Sequence, residues 1–569
     1  MISIDRIRIR GFRGIANLEM TFTDTCVLIG PNNSGKTSVL RALEMALSES
    51  LHIVEQDFYC ASCHTNPERF QIDVRFIPVD QNSKRQNRFS PLWQKAFGVA
   101  ISEDRQHREF FAFRTFGIWN AQTQSASKSR FVLRHWDERE SRIAVTSELN
   151  AIEYVPIDAN ANLRRDLANE DSFLNRALYA LHRAAQECCA ANDPIFKDLQ
   201  VLLNRLLDTL QGPGTRIPES FELSTHNIGH FFESVKADSN ALVETQFQAK
   251  GTAKTIAILS IVTIMEMFSK LKTMRKEPLH FVIGAEEPET HLHPNAQRSL
   301  ITQLKVLSHQ LVVTTHSPYI TSVAEPTEFR SMEKKDNALQ VRWLPQNTDP
   351  TDVRTIKRLI MRFRGEVLFA RGLIFVEGVT EEQLITGMFQ AYFGHDPSEL
   401  GINIIGVDGK SYAAFVMLAL SLRKPFCIVS DNDGDTQHVV LKQIQEVEEK
   451  TRFTAKENRS EAFFLSPGQA MEGELARHTG LKREIIDSLI ACTVRPGTPE
   501  QYIQGRREQM KDLSNLELKR RLEKKKSEYS AFLGDMIVEN PYSQPIEAML
   551  PKAVLRAFQH IELWLKEPA

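Results

Sequence analysis

Apolar and polar positions divide the N-terminal part of the chain into strands and a helix. ISIDRIRIRGF and LEMTF alternate apolar with polar residues, TCVLIG is a continuous apolar run, and TSVLRALEMAL follows a helical period. Alternation is typical of half-buried strands, and a short apolar run is typical of a fully buried one. FQIDVRFIPV and REFFAFRTFGIW predict further strands between residues 70 and 150. The alternating start favours a strand over a signal peptide.

The pattern becomes helical between about 160 and 212. Apolar residues recur there at three-to-four spacing, including Leu199, Leu202, Leu203, Leu206, Leu207 and Leu210, and GPG at 212–214 ends the block. This spacing predicts a helical insertion over 160–214. Two interpretations stay open, an oligomerisation arm and helices that pack on their own core.

Short apolar strands alternate with helices in the rest of the chain. LHFVIGA and QLVVTT lie between 250 and 325, and GLIFVEG, INIIGV and FCIVSD lie beyond 365. Such runs are expected of parallel strands that are covered on both faces, so the sequence predicts two α/β units. The polar segment 326–365 is interpreted as a linker. The tail, 500–569, is predicted to be mostly helical and opens with many basic residues.

Composition limits the classes of protein to consider. The chain has 569 residues, which predicts two to four domains, and its formal net charge of −2 gives no overall positive field for nucleic acid. Any DNA contact must therefore come from local basic patches. Seven cysteines favour a reducing cytoplasm, and no apolar stretch approaches the roughly 20 residues of a membrane span. We expect a cytoplasmic protein without a membrane segment.

A phosphate-binding loop follows the first buried strand. GPNNSGKT fits the pattern G-x-x-x-x-G-K-[ST] between a strand and a helix, which is the context that the motif needs. Its glycines let backbone N–H groups point at phosphate oxygens, its lysine neutralises the β and γ phosphates, and its threonine offers a hydroxyl to Mg²⁺. The predicted ATP-binding residues are Gly30, Asn32, Asn33, Ser34, Gly35, Lys36, Thr37 and Ser38.

Acidic residues end a later strand in LHFVIGAEEPETHLHP. Carboxylates at the carboxyl end of a parallel strand lie beside the phosphate loop. We expect Glu286 to hold Mg²⁺ through water, Glu287 to polarise the attacking water and His316, past the next strand, to sense the γ phosphate. His291 and His293 could suggest a metal site, but a structural or dimer-contact role is favoured.

These motifs together resemble the ABC-type ATPases of the SMC-like group. The resemblance implies that two heads sandwich two ATP molecules, and that a signature motif of one head touches the nucleotide on the other. The usual LSGG signature is absent. Lys250, Gly251 and Thr252, within QAKGTAKTIAILSIV, are weak stand-ins for it. The missing signature therefore weakens the implication of efficient hydrolysis more than that of nucleotide binding.

A second acidic cluster ends strands of the smaller α/β unit. CIVSDNDGD places Asp431, Asp433 and Asp435 after an apolar run, and LIFVEGVTEEQLI ends an earlier strand at Glu377. An EF-hand is excluded because Thr436 occupies the position that requires glycine. Carboxylates at neighbouring parallel strand ends converge, and hard oxygen ligands suit Mg²⁺ or Mn²⁺.

This pair of motifs resembles the TOPRIM domain, and a TOPRIM domain after an ABC-type head resembles the OLD (overcoming lysogenization defect) family of nucleases, which includes the larger Gabija component. The resemblance implies metal ligands at Glu377, Glu381, Asp431, Asp433 and Glu472, with Glu474 less favoured than Glu472. It implies a catalytic lysine at Lys526, with Lys524 and Lys525 as alternatives. Asp408 and Lys410 lie where the family has a glycine-rich loop that could face the site.

The resemblance also implies a fold and a domain order. The fold is α/β, with an ABC/SMC-like ATPase head that carries a helical insertion, then a TOPRIM domain and a helical C-terminal region. The predicted domains are the head (1–159), the insertion (160–214), the rest of the head with the linker (215–365) and the TOPRIM domain with its basic tail (366–569).

The implied activity is hydrolysis of DNA by two divalent ions held about 4 Å apart, with ATP as a switch. Basic residues of the tail are candidates for backbone contacts to DNA: Arg506, Arg507, Lys511, Arg520 and Arg521. Implied partners are DNA, a second copy of the chain and a helicase-like or other defence protein. Three alternatives stay open, namely a DNA clamp with an inactive TOPRIM domain, a topoisomerase or primase relative, and an RNA-cleaving toxin.

Overall fold

A computed structural model describes most of the chain as two compact units. The described residues are 1–48, 53–59, 69–120, 123, 125–137, 143–145, 147–158, 172–187, 250–335, 338–345, 348–362, 365–495 and 497–566. The first unit comprises Met1–Ala324 and Glu328–Val341, and the second comprises Glu325–Thr327 and Arg342–Ala569. No helix in these ranges is long and apolar enough to span a bilayer.

The first unit contains two sheets and helices around them. Its strands are β1 (Ile2–Phe12), β2 (Ile15–Thr21), β3 (Thr25–Ile29), β4 (Arg69–Pro78), β5 (Ile101–Glu103), β6 (Glu109–Asn120), β7 (Ser125–Val132), β8 (Ile152–Ile157), β9 (His280–Glu286), β10 (Gln310–Thr314), β11 (Phe329–Lys335) and β12 (Ala338–Arg342). Its helices are α1 (Lys36–Leu47), α2 (Pro91–Phe97), α3 (Phe173–Glu187), α4 (Lys250–Met274), α5 (Pro294–Leu307) and α6 (Pro318–Val323).

The first sheet is antiparallel and follows from the alternating pattern. Its order is β2-β1-β4-β6-β5, and β7 pairs with β6. The alternate apolar residues Ile7 and Ile9 of β1 are buried, while Arg10 is exposed. A buried ion pair between Arg114 and Asp73, with Nε and Oδ1 at 2.7 Å, crosses from β6 to β4.

The second sheet carries the phosphate loop. Its order is β12-β11-β3-β10-β9-β8, and the pairs from β11 to β8 are parallel. Neighbouring residues of β10 lie in different cores, with Val312 packed among residues of α1 and the first sheet, and Val313 among residues of α4 and α5. The sheet is thus covered on both faces, which explains the continuous apolar runs.

The second unit is a parallel sheet of order β14-β13-β15-β16, surrounded by helices. Its strands are β13 (Gly372–Val376), β14 (Ile402–Gly406), β15 (Phe426–Ser430) and β16 (Glu461–Phe464). Its helices are α7 (Pro350–Arg362), α8 (Val379–Phe393), α9 (Ala413–Ser421), α10 (Thr436–Thr451), α11 (Met471–Arg477), α12 (Lys482–Ala491), α13 (Glu500–Lys511), α14 (Asn515–Glu539), α15 (Ile546–Met549) and α16 (Lys552–Leu565).

The α/β fold class and the helical tail are confirmed. The predicted linker, 326–365, is instead structured, because it contains β11, β12 and α7. Phe329 and Met332 of β11 are buried beside β3, although the charged residues of this strand interrupt its apolar pattern. Of the predicted insertion 160–214, only residues 172–187 lie in the described part, so its extent and role stay predictions.

Candidate functional site

The phosphate loop joins β3 to α1 through two glycines with positive φ. Gly30 has φ 150°, and a Cβ there would lie 2.1 Å from the backbone oxygen of Met332. Gly35 has φ 84° and precedes α1, which begins at Lys36. Glycine is required at Gly30 for space and is favoured at both positions by backbone conformation. Of the other predicted loop residues, Asn32 and Asn33 are exposed, Ser38 is half-buried and Ser34 is buried.

Lys36 is turned onto the loop itself. Its Nζ donates hydrogen bonds of 2.9 Å to the backbone oxygens of Gly30 and Pro31. Burial lowers the pKa of Lys36, and the charges of Glu287 and Glu289 oppose that effect. The ammonium therefore lies in the curl of the loop, from which it can reach a phosphate that enters there.

The acids after β9 lie beside this loop. Thr37 Oγ1 donates a 2.5 Å hydrogen bond to Glu286 Oε1, so the two predicted Mg²⁺ ligands are in contact. Glu287 has φ 38°, and its N–H donates to Thr314. His316 Nε2 lies 3.8 Å from Glu287 Oε1. The structure thus brings the predicted ATPase residues together at one edge of the sheet.

Glu289 has a positioning role that the sequence interpretation missed. Its Oε1 accepts hydrogen bonds from Thr315 Oγ1 (2.7 Å) and from the backbone N–H groups of His316 (2.8 Å) and Ser317 (3.1 Å). It therefore holds the loop that carries His316. The signal that could have suggested it is a carboxylate two residues after Glu287.

Two other expectations for this unit remain predictions. Lys250, Gly251 and Thr252 begin α4, but their side chains lie outside those that the structure describes. His291 and His293 are exposed on the turn before α5.

In the second unit, four predicted acids surround the carboxyl ends of two adjacent strands. Glu377 follows β13 and Asp431 follows β15, and these strands pair in parallel. Glu381 lies in the first turn of α8 and Glu472 in the first turn of α11. Asp431 and Glu472 are only 8% and 5% exposed. The parallel pairing of β13 and β15 thus places Glu377 and Asp431 at the same edge of the sheet, as predicted.

Their charges act on one another. Burial raises the pKa of Asp431 to about 8, with further contributions from Glu377, Glu381, Glu472 and Asp433. Burial likewise raises the pKa of Glu381, and the charges of Glu472 and Glu377 add to the effect. Buried carboxylates that repel one another in this way are stabilised by a cation.

Asp433 already has a cationic partner. Lys410 Nζ lies 2.7 Å from Asp433 Oδ1 and 2.6 Å from Thr436 Oγ1. The Lys410 hydrogen bond holds the pKa of Asp433 below its ordinary value. Asp408, on the same loop as Lys410, pairs with Arg362 at 3.1 Å. Lys410 therefore faces the acids, whereas Asp408 is held by Arg362.

The contacts around α11 distinguish the two candidate ligands, Glu472 and Glu474. Glu474 accepts hydrogen bonds from the hydroxyl and the N–H of Ser466, so it holds a turn outside the acid cluster. Glu472 contributes instead to the field at Asp431. The N–H of Met471 donates to Asp431 Oδ1 at 3.1 Å. These contacts favour Glu472 over Glu474 as a ligand.

The lysine-bearing segment lies in α14. Lys524 is exposed, and Lys525 pairs with Glu528 at 2.7 Å. The side chain of Lys526 lies outside the described ones, so its catalytic role stays a prediction.

A divalent metal fits the donor set by its chemistry. The cluster offers carboxylate oxygens, which Mg²⁺ and Mn²⁺ prefer, with raised pKa values that a cation would lower. Within the described residues, no group of three or more acidic, histidine or cysteine side chains is arranged to hold a metal as it stands. Lys410 and the Met471 N–H instead contact oxygens of Asp433 and Asp431.

Family models match both units. The model of the AAA ATPase domain matches residues 2–155 and 158–321, and the model of the overcoming lysogenization defect protein-like TOPRIM domain matches residues 368–433. The chain belongs to the AAA ATPase domain family and carries an OLD-like TOPRIM domain. The ATPase match covers the phosphate loop and the acids after β9, and the TOPRIM match ends at Asp433.

Curated relatives bear nuclease names. The chain is 24% identical over 465 residues to an OLD nuclease of Thermus scotoductus, covering 76% of this chain and 82% of that protein. It is 26% identical over 255 residues to endonuclease GajA of Bacillus cereus, covering 39% and 36%. The chain therefore spans about a third of GajA, but most of the Thermus protein. These OLD relatives and the TOPRIM domain support a nuclease.

Solved structures with some similarity include a C-terminal region of the Burkholderia pseudomallei OLD protein. It has 21% identity and a TM-score of 0.26, and the match covers 35% of this chain and 99% of that one. The SMC head domain from Thermotoga maritima has 10% identity and a TM-score of 0.29, over 60% and 99% of the two chains. The fold assignment rests on the strand topology and the family matches.

Proposed function

We propose that this protein is a nuclease of the OLD type, namely an ATP-regulated, divalent-metal-dependent DNA endonuclease. The observation that carries the proposal is the clustering of buried acids at the ends of β13 and β15, where burial, with added repulsion from the neighbouring carboxylates, raises the pKa of Asp431 to about 8. Such a cluster is unfavourable in isolation and is suited to Mg²⁺ or Mn²⁺. The nuclease names of the relatives support the same reaction class.

Each acid has a distinct place in the proposed site. Glu377, Glu381, Asp431, Asp433 and Glu472 would hold the metal, which supplies an activated water and charge neutralisation at the scissile phosphate. Asp431 and Glu472 are buried, so they would hold the metal from the interior side of the cluster. Asp433 lies at the exposed side of the cluster, with its side chain 48% exposed, and faces the approach of substrate.

Lysines would offset charge on the phosphate. Lys410 Nζ is already at the cluster, bonded to Asp433, and its side chain is 38% exposed. A small movement would direct its ammonium at a phosphate oxygen. Lys526, on α14, is the second candidate for this role. DNA would lie along the exposed basic residues Lys511, Arg520 and Arg521, whereas Arg507 is paired with Asp487 at 2.7 Å.

ATP would act at the other unit. Lys36 would exchange the loop carbonyls for phosphate oxygens, Thr37 and Glu286 would hold Mg²⁺, and Glu287 would orient water. His316, held in place by Glu289, would sense the γ phosphate. We propose that nucleotide state in a homodimer or larger assembly controls cleavage, and that the activity defends a bacterial cytoplasm against phages, with or without a partner protein.

The test compares substrates and nucleotides. Supercoiled DNA, linear DNA and RNA are incubated with wild type and with Asp431→Ala, with Mn²⁺ or EDTA, and with or without ATP. Cutting of DNA that requires Mn²⁺ and is lost in Asp431→Ala supports the proposal, and the ATP lanes give the sign of the switch. Cutting of RNA alone favours the toxin, and binding of DNA without cutting favours the clamp.

A further inference from the structure

Tyr529 of α14 is a buried tyrosine whose hydroxyl has no hydrogen-bond partner. Its exposed fraction is 0%, and its Oη is one of the buried polar atoms without a partner among the described residues. Burying a hydroxyl without a partner is unfavourable, and phenylalanine would fill the same space without that cost. The hydroxyl therefore needs an explanation other than packing.

The position of α14 places this residue beside the acid-bearing helices. Gly534 of α14 and Gly387 of α8 let the two helices touch, since a Cβ on Gly387 would lie 2.5 Å from Gly534 Cα. Ser530, the neighbour of Tyr529, donates a 2.6 Å hydrogen bond to Gln383 Oε1, two residues after Glu381. Tyr529 also belongs to the same apolar core as residues of α8 and α11.

The hydroxyl lies within the electrostatic field of the acids. Burial raises the pKa of Tyr529 well above its ordinary value, and the charges of Glu472, Glu381 and Asp431 raise it further. Tyr392, a partly buried tyrosine of α8, is different. After burial, its pKa is raised by the hydrogen bond and charge of Glu562 and by the charge of Glu547. The acids that influence Tyr529 are thus those of the proposed metal site.

We propose that Tyr529 is a positioning residue whose hydroxyl donates a hydrogen bond to a metal-binding carboxylate, Glu472 foremost. The inference rests on the proposed function of this site. Ligating carboxylates are oriented by hydrogen bonds from groups behind them. Without a cation between them the acids repel one another, and the hydroxyl has no hydrogen-bond partner among the described residues. When the carboxylates gather around a cation, the hydroxyl gains its acceptor and fixes the orientation of that carboxylate.

The test is Tyr529→Phe, measured by titration of Mn²⁺ in a calorimeter and by thermal unfolding with and without Mn²⁺. Loss of an outer hydrogen bond to a metal ligand weakens affinity by about 10- to 100-fold, so the Kd for Mn²⁺ should rise by about that factor. The Tm of the metal-free protein should stay constant or rise, because no hydrogen bond is lost there. The stabilisation that Mn²⁺ gives should shrink.

Tyr392→Phe is the matched control. Tyr392 Oη donates a 2.8 Å hydrogen bond to Glu562, so its removal should lower the metal-free Tm and leave the Kd for Mn²⁺ unchanged. An unchanged Mn²⁺ affinity in Tyr529→Phe, or a lower metal-free Tm, overturns the inference while the proposed function stands. Failure of wild type to bind Mn²⁺ overturns both.

Discussion

Lys410 and Asp433 form an ion pair inside the acid cluster, with Nζ and Oδ1 2.7 Å apart. The lysine stabilises an aspartate that the proposal assigns to the metal. A divalent ion and Lys410 therefore compete for the same oxygen, and binding of the ion would release the ammonium towards the substrate. The pair thus links metal binding to the availability of a charge for catalysis.

Lys410→Met should separate these two effects. The Kd for Mn²⁺ should fall several-fold, because a competing positive charge is removed. The rate of DNA cleavage at saturating Mn²⁺ should fall by at least about tenfold, because the phosphate loses a stabilising charge. Lys442→Met is the control, since Lys442 is exposed on α10 and its Nζ lies 4.0 Å from Glu446 Oε1. Weaker Mn²⁺ binding in Lys410→Met would contradict the competition.

Asp431→Asn should stabilise the metal-free protein in a pH-dependent way. A carboxyl whose folded pKa is raised to about 8 binds more protons folded than unfolded, so its contribution to stability falls as pH rises from about 4 to about 8. Thermal unfolding in EDTA should show little difference between the variant and wild type near pH 4. The variant should have the higher Tm, by several degrees, at pH 8.

With Mn²⁺ present, the difference in Tm between wild type and Asp431→Asn should reverse. Saturating Mn²⁺ should raise the Tm of wild type and leave that of Asp431→Asn nearly unchanged. The contradicting result is a wild-type Tm in EDTA that does not fall, relative to that of the variant, between pH 4 and pH 8. Asp431 would then not be under the described repulsion.

Lys36→Met should abolish tight ATP binding with the fold intact. Charge-assisted hydrogen bonds contribute about 1.5–3 kcal/mol, so the Kd for ATP should rise by about 10- to 150-fold. Among the described residues, the hydrogen bonds of the lysine go to loop carbonyls at 2.9 Å, and its loss should change Tm little. Fluorescence titration with a labelled ATP analogue measures the first quantity. Unchanged ATP affinity would remove Lys36 from the nucleotide site.

Glu289→Ala should slow ATP hydrolysis more than it weakens ATP binding. Its Oε1 accepts three hydrogen bonds from the loop that bears His316, whereas its described influence on the phosphate loop is the electrostatic effect of its charge on Lys36. Misplacement of His316 should lower kcat by about tenfold or more, and the Kd for ATP should change by less than about threefold. Equal losses in both quantities would contradict a role confined to positioning.

Local pattern predicted the features that depend on strand ends. Glu286, Glu377 and Asp431 each follow an apolar run. Within each parallel sheet, topology alone brings the residues at the carboxyl ends of the strands to the same edge. Lys410 was expected near the site through the family resemblance alone. The packing of Tyr529 and the hydrogen bonds of Glu289 depend on helix packing or loops between distant segments, which no local pattern encodes. The structured 326–365 segment was missed because charged residues interrupt the apolar pattern of β11.

The central claim is tested most directly by the rate at which supercoiled plasmid is nicked with Mn²⁺ by wild type, Asp431→Asn and Asp435→Asn. Asp435 is an exposed acid four residues away and is not among the charges that raise the pKa of Asp431. We predict that Asp431→Asn loses more than the roughly 10- to 100-fold typical of outer-shell changes, and that Asp435→Asn stays near wild type. Equal nicking by wild type and Asp431→Asn would contradict a metal-dependent nuclease site at these acids.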